Sequence, residues 1–489
     1  MPLREEITAA LTLDNPVYIE RKSKKRPTWG IDKKLTLYTY DRGDLIVPRG
    51  FYVSLVDILL KHGINPHEVV TKRLTEGWKV DFGEWNAKYI PKEDQRPAIK
   101  AVLLKNGVLV APAGSGKTLM GMWYIWEKGR PALWLTHTKD LMYQSAKNAE
   151  RYLLGVGRVG ILGDGKQEWG DGKLIVATVQ TLQAHPHLVE TLKPIIGTLV
   201  IDEAHHFPAP AFLEVAGQFP AANVLGLTAT PERKDKLECY LYAGVGPIVY
   251  EIKRDGLYES GRLIKPEIRF VYTEFDYEQA SDRNEIDSVD AGGEDLNYNA
   301  LMEALINDEK RAQLVAENIV KHAPGNYSIV LTERVEYGYL LQSMIQNVSK
   351  GKLRVSVVHG KLPKKERKEI LDAAYRKEVD VLIATQLARE GLDMPHLTIG
   401  HMVTPKRGDA SGSRNGAAVE QEIGRIMRPD PANPDKKAIW FDYVDYNVGV
   451  FRSQYSSRRS VYKRLGLKVP KKPRTERDEI ADFLSGIRW

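Results

Sequence analysis

Ala111-Pro-Ala-Gly-Ser-Gly-Lys-Thr118 is the stretch around which this 489-residue chain organises itself. It follows an apolar run, Gly107 to Ala111, that suits a strand, and it precedes Leu119 to Glu127, which suits a helix. Strand, glycine-bearing turn and helix in that order form a phosphate-binding loop, here with Ala111 where a first glycine is usual. Gly114 and Gly116, with Ser115 between them, let backbone N–H groups approach phosphate oxygens, and the helix start adds its partial positive charge. Lys117 is placed to reach the β- and γ-phosphates and Thr118 to ligate Mg²⁺, so the expected ligands are ATP and Mg²⁺.

Working outward, short apolar runs alternate with helix-length mixed segments. The first set of expected strands is Gly107 to Ala111, Ala132 to Thr136, Leu174 to Thr178, Thr198 to Asp202 and Asn223 to Thr228. The rhythm pauses near Tyr250, restarts near Leu301, and supplies Tyr327 to Leu331, Arg354 to Val358, Val379 to Thr385, Thr398 to Val403 and Ala438 to Phe441. Continuous apolar strands of this kind suit parallel sheets covered on both faces, so two tandem α/β domains are expected. The fourth run ends in Asp202-Glu203-Ala-His205. At the C-terminal edge of a parallel sheet Asp202 can join the Mg²⁺ shell while Glu203 polarises the attacking water.

The ordered set Ala-Gly-Ser-Gly-Lys-Thr118, Asp202-Glu-Ala-His205, Leu227-Thr-Ala-Thr-Pro231 and Gln421-Glu-Ile-Gly-Arg-Ile-Met-Arg428 resembles the superfamily 2 helicases, from about Tyr89 to Tyr443. The resemblance implies two RecA-like domains with ATP between them and nucleic acid across their tops. It assigns Gln95 to adenine reading, Thr228 and Thr230 to coupling of hydrolysis with strand movement, and Gln421, Arg425 and Arg428 to the second domain's share of the ATP site. Supplying guanidinium groups across a cleft makes hydrolysis depend on closure. Thr178 and Thr385 fall where the family grips the nucleic-acid backbone, and Asp393, close to Glu390 and Gly391, where it closes on the nucleotide. Asp-Glu-Ala-His with Thr-Ala-Thr is similar to the UvsW, RecG and XPB group of DNA helicases, and Leu13 to Tyr18 with Val47 to Gly50 is similar to the N-terminal domains of compact phage helicases acting on branched DNA.

The implied organisation is a small N-terminal α+β nucleic-acid-recognition domain at 1–85, a RecA-like ATP-binding domain at 86–260, an acidic linker at 261–300, a second RecA-like domain at 301–450 and a basic tail at 451–489. Val271 to Ala300 holds nine acidic residues and one basic residue, and reads as a solvated linker. Lys and Arg total 71 against 64 Asp and Glu, and the formal excess of +7 is matched by Phe451 to Trp489 alone, with 11 basic and 4 acidic residues. Arg458, Arg459 and Lys463 in that tail, with Tyr455 and Tyr462 among them, and Arg21 to Arg26 near the start are therefore candidate nucleic-acid contacts. Lys406 to Arg414, Gly- and Ser-rich, reads equally as a strand-separating pin or as a loop.

The single cysteine, Cys239, excludes an intramolecular disulfide and fits a reducing, intracellular and cytoplasmic setting. No apolar stretch approaches the roughly 20 residues of a membrane span, and no signal peptide is visible. The expected activity is an ATP-dependent DNA helicase or translocase on single-stranded, forked or branched DNA, with branch migration favoured. An RNA helicase and the motor subunit of a restriction or defence assembly stand as alternatives.

Overall fold

The computed structural model describes residues 2–72, 74–204, 215–229, 237–277, 298–385, 394–408 and 416–470. Thr230, Glu390, Gly391, Asp393, His205 and the part of the Lys406–Arg414 stretch beyond residue 408 lie outside them. All ten runs read as strands of the two domains are strands, with ends moved by at most three residues. They stand in two separate sheets.

The first sheet has eight strands, in the order Ile248–Glu251, Gly107–Val110, Asn223–Thr228, Thr198–Ile201, Ala132–Thr136, Leu174–Thr178, Gly160–Gly163 and Lys166–Glu168. Every pairing is parallel except the last, an antiparallel hairpin with Asp164 and Gly165 at its turn. The central strands are buried along their whole length, which is why they read as unbroken apolar runs. Parallel pairing also brings Ala111, Thr138, Thr178, Asp202 and Thr228 to one edge, the edge where such sheets bind ligands.

The second sheet has six parallel strands, in the order Glu267–Tyr272, Ile439–Val444, Ile399–Met402, Ser328–Leu331, Val381–Ala384 and Val355–Val358. Glu267–Tyr272 falls inside the 261–300 stretch read as linker, yet it pairs with Ile439–Val444 over its full length. Its alternation of charged and apolar residues, Glu-Ile-Arg-Phe-Val-Tyr, marks a half-exposed edge strand. The described part of the basic tail, up to residue 470, likewise packs on the domain. Gly449–Arg464 is a helix that buries Phe451, Gln454, Tyr455, Arg458, Val461 and Tyr462.

The chain opens with a small module whose own core runs from Leu3 to Val70, with two short antiparallel strand pairs, Thr12–Asp14 with Lys34–Thr36 and Thr39–Asp41 with Asp44–Ile46. Helix Tyr52–Lys61 packs Leu55 and Leu59 against Ile7 and Leu11. The module is pinned to the first sheet by Arg49, whose guanidinium donates to the carbonyls of Ala221 (2.7 Å) and Phe219 (2.8 Å). The chain then wraps that domain, and Phe82 is already in its core. No described helix is long and apolar enough to cross a membrane.

Candidate active site

The loop Ala111–Gly116 turns between strand Gly107–Val110 and helix Lys117–Lys128. Gly114 (φ +82°) and Gly116 (φ +87°) both adopt the left-handed backbone conformation that other residues resist, so these two positions require glycine. Ser115, fully buried between them, carries a hydroxyl with no partner among the described residues. A buried hydroxyl left without a partner is costly unless a ligand supplies one, and this one lies in the middle of the phosphate loop.

Lys117 Nζ pairs with Glu203 Oε1 at 2.8 Å. The lysine is thus held at the site by the carboxylate expected to orient water, and both side chains are mostly buried. Glu203 itself has φ +48°, a rare conformation for a glutamate, and its N–H donates to Asp202 Oδ1 at 3.0 Å. Strain of this kind, of order 1 kcal/mol, persists where the surroundings over-determine a residue. Burial, together with the Glu203 charge and partly offset by Lys117, pushes the Asp202 carboxyl up to about 7. A buried carboxyl whose charge is disfavoured in this way suits a divalent cation that would offset it.

Thr118 and Asp202 are the residues that would hold Mg²⁺, and the cation would neutralise charge on the phosphates. Among the described residues no cluster of three or more His, Cys, Asp or Glu side chains could hold a metal by itself.

Gln95, at the start of helix Arg96–Leu104, is 2% exposed. Its amide donates to the Ser115 carbonyl (2.7 Å) and accepts from the Lys92 N–H (2.9 Å), so the residue assigned to adenine reading touches the phosphate loop directly. Thr228, fully buried at the end of its strand, accepts the Ala111 N–H at its carbonyl. The second domain closes the site from the other side. Gly424, on helix Gly416–Ile426, faces the loop so closely that a Cβ built there would lie 3.2 Å from Ala113 Cβ. The same helix carries Gln421 and Arg425, with Arg428 two residues beyond its end, and all three are half-buried.

Nucleic-acid candidates fare unevenly. Thr178 and Thr385 sit at strand ends as expected, each 6% exposed, with Thr178 Oγ1 bonded to Thr181 Oγ1 at 2.9 Å. Arg458 is not a surface residue. It is buried in a two-pronged pair with Asp442, 2.9 Å for each prong, and donates a third bond to the Lys406 carbonyl. Arg459 bonds Tyr455 Oη and the Pro470 carbonyl and lies over Phe270, while Lys463 is exposed. Three further residues near the site carry no signal in the chain itself. Arg262 bonds the Ser115 carbonyl, Arg254 pairs with Glu420 beside Gln421, and Lys436 bonds the Arg428 carbonyl. None of the three lies in a recognisable motif, and only folding brings them there.

Comparison with known proteins places two matched segments on these two sheets. Residues 88–233 match the family described as type III restriction enzyme, res subunit, and residues 309–430 match the helicase conserved C-terminal domain. The Rad25 protein of Halobacterium salinarum is 27% identical over 331 residues, covering 66% of this chain and 49% of that one. The DNA 3'-5' translocase XPB2 of Sulfurisphaera tokodaii is 27% identical over 399 residues, covering 74% of this chain and 83% of that one. The chain therefore spans about half the length of Rad25 and most of XPB2. Among solved structures, S. cerevisiae Dbp5 bound to RNA and ADP BeF3 aligns with a TM-score of 0.50 and 15% identity over 81% of this chain and 93% of that one. The two parallel-sheet domains are RecA-like helicase domains.

Proposed function

With a tandem pair of superfamily 2 helicase domains in hand, we propose that this chain is an ATP-dependent DNA translocase that remodels forked or branched DNA, with branch migration as the favoured outcome. The observation that carries the reading is the approach of Gly424 to Ala113, which sets the arginine-bearing helix of the second domain against the phosphate loop of the first. A site assembled from two bodies makes turnover depend on their closure, and that dependence is what converts hydrolysis into movement. In the proposed cycle the phosphates of ATP take Lys117 from Glu203, which frees the Glu203 carboxylate to orient the attacking water. Asp202 and Thr118 would hold Mg²⁺, which would neutralise charge on the phosphates, and Arg425 and Arg428 meet the charge of the transferring phosphoryl group.

DNA is favoured over RNA because the relative matched over 83% of its own length carries a DNA-directed name. The N-terminal module supports a role in duplex or branch recognition. Trp29 is 95% exposed, among Lys24, Lys25, Arg26, Lys33 and Lys34, so an aromatic face stands ready to stack on an unpaired base beside cations that grip phosphates. The match of residues 88–233 to a restriction-enzyme subunit favours a second reading, a motor that serves a separate nuclease.

The deciding experiment measures ATP hydrolysis with duplex, forked and single-stranded DNA and with RNA, alongside conversion of a synthetic four-way junction. Stimulation by forked DNA with ATP-dependent junction conversion is expected. Stimulation by RNA alone would overturn the DNA reading. Duplex translocation without junction conversion would move the assignment to the nuclease-linked motor.

A further inference from the structure

The chain passes from the first sheet to the second through residues 260–266, and three consecutive residues of this crossing lie on the ATP site. Arg262 donates from Nη2 to the Ser115 carbonyl (2.9 Å) and from Nη1 to Asp94 Oδ1 (3.1 Å). Leu263, 2% exposed, covers the loop so tightly that a Cβ on Gly114 would come within 2.8 Å of its Cδ2. Ile264 donates its N–H to the Met427 carbonyl at 2.7 Å, one residue before Arg428. The crossing is also braced from behind, because the Leu263 N–H bonds the Leu257 carbonyl of helix Arg254–Glu259, whose Arg254 pairs with Glu420.

We propose that Arg262 is a positioning residue for nucleotide binding, through which the crossing segment links the shape of the phosphate loop to the position of the second domain. The inference rests on the ATP-site reading above and deepens it. The Ser115 carbonyl accepts two donors, Gln95 Nε2 and Arg262 Nη2. Because the peptide group is planar and trans, fixing the direction of that carbonyl fixes the opposite direction of the Gly116 N–H, one of the amides available to phosphate. The other prong of Arg262 holds Asp94, the neighbour of Gln95, so one guanidinium ties the adenine side of the pocket to its phosphate side. A planar fork can hold a carboxylate and a carbonyl together in a fixed geometry, whereas a lysine ammonium is a single point charge. Two residues along, the same short segment is bonded to the backbone next to Arg428. Movement of the second domain therefore pulls on Arg262, and a nucleotide that orders the phosphate loop pulls back, which is the reciprocity that linked sites require.

The test compares wild type with Arg262→Ala, Arg262→Lys and Asp94→Asn in the full chain. Affinity for ADP and for a non-hydrolysable ATP analogue is read by fluorescence, with and without saturating forked DNA, and KM and kcat for ATP are measured alongside. Arg262→Ala should bind nucleotide about tenfold or more weakly, as removal of a charge-assisted bond implies. Its KM should rise with kcat much less affected, and the effect of DNA on nucleotide affinity should shrink towards none. Arg262→Lys should fall between the two, and Asp94→Asn should weaken binding less than Arg262→Ala because the bond to the Ser115 carbonyl survives. Should the alanine variant fail to fold, the lysine and asparagine variants carry the test. Nucleotide affinity within twofold of wild type in the folded variants, with an unchanged response to DNA, would overturn the inference. A wild-type protein that binds no nucleotide would instead overturn the ATP-site reading.

Discussion

Lys117 and Glu203 meet at 2.8 Å beside the loop proposed to take the phosphates of ATP. Their pairing holds two long side chains in register for a ligand that would separate them, and it leads to different outcomes for the two obvious substitutions. Lys117→Ala removes a cation that neutralises phosphate and should weaken ATP binding as well as abolish DNA-stimulated hydrolysis. Glu203→Gln keeps the shape of the side chain, so it should retain ATP while losing turnover. Wild-type turnover in Glu203→Gln would remove the glutamate from the mechanism. Arg425→Ala and Arg428→Ala should leave nucleotide binding largely intact and cut turnover, by about 10³-fold if either acts as an arginine finger. Unchanged turnover in both would remove the second domain from the reaction.

At the level of single elements, helix Gly449–Arg464 shows how a charge count can mislead. Its basic residues read as a grip on phosphate, yet Arg458 is paired with Asp442 at the core of the second domain and Tyr462 Oη bonds the same carboxylate at 2.8 Å. Removing one partner of a buried pair strands the other charge, so Arg458→Ala should cost about 3–5 kcal/mol of stability, read from denaturant midpoints. An effect on DNA affinity with no drop in stability would restore the surface reading. Strand Ile399–Met402 makes a second stability prediction. Burial, helped by the charge of His322, pushes the His401 imidazole down to about 3, and the ring stacks on Phe441 with its Nδ1 near Tyr443 Oη. Between about pH 6.5 and that depressed value the unfolded chain binds a proton that the folded chain refuses, so acid costs stability there by about 1.4 kcal/mol per pH unit from this group. The stability gap between wild type and His401→Phe should therefore narrow as pH falls from 7 to 4.5. A constant gap would show that His401 is not the group responsible.

Across the assembled chain, the N-terminal module and the two sheets form a continuous body joined by Arg49, by the wrap through Phe82 and by the crossing at Arg262. This arrangement places the exposed Trp29 on a part of the molecule remote in sequence from the hydrolytic residues. Trp29→Ala should weaken binding to forked DNA more than to duplex while leaving maximal ATP turnover near wild type. Replacing Lys24 and Lys25 should instead lower affinity for every DNA alike and make the dependence of log K on log salt shallower, by about 0.9 for each duplex phosphate that is no longer neutralised. Salt slopes unchanged in that double variant would move the DNA surface elsewhere.

The amino-acid sequence by itself determined the ten central strands, the glycine-bearing turn at 111–116 and the placing of Asp202 and Glu203 at a strand end, because each depends on neighbours in the chain. A strand buried on both faces must be apolar throughout, and a loop that cradles phosphate must bear glycines at Gly114 and Gly116, whose left-handed backbone the structure displays. Tertiary structure alone decided that Glu267–Tyr272 leaves the linker to become an edge strand, that Arg458 turns inward, and that Arg262 reaches the Ser115 carbonyl. Each of these turns on a partner in another element: Ile439–Val444 for the strand, Asp442 on that same strand for Arg458, and a loop 147 positions from Arg262. Charge and hydropathy along the chain show which groups seek a partner, whereas the energy of the interaction depends on which distant group folding brings within 3 Å.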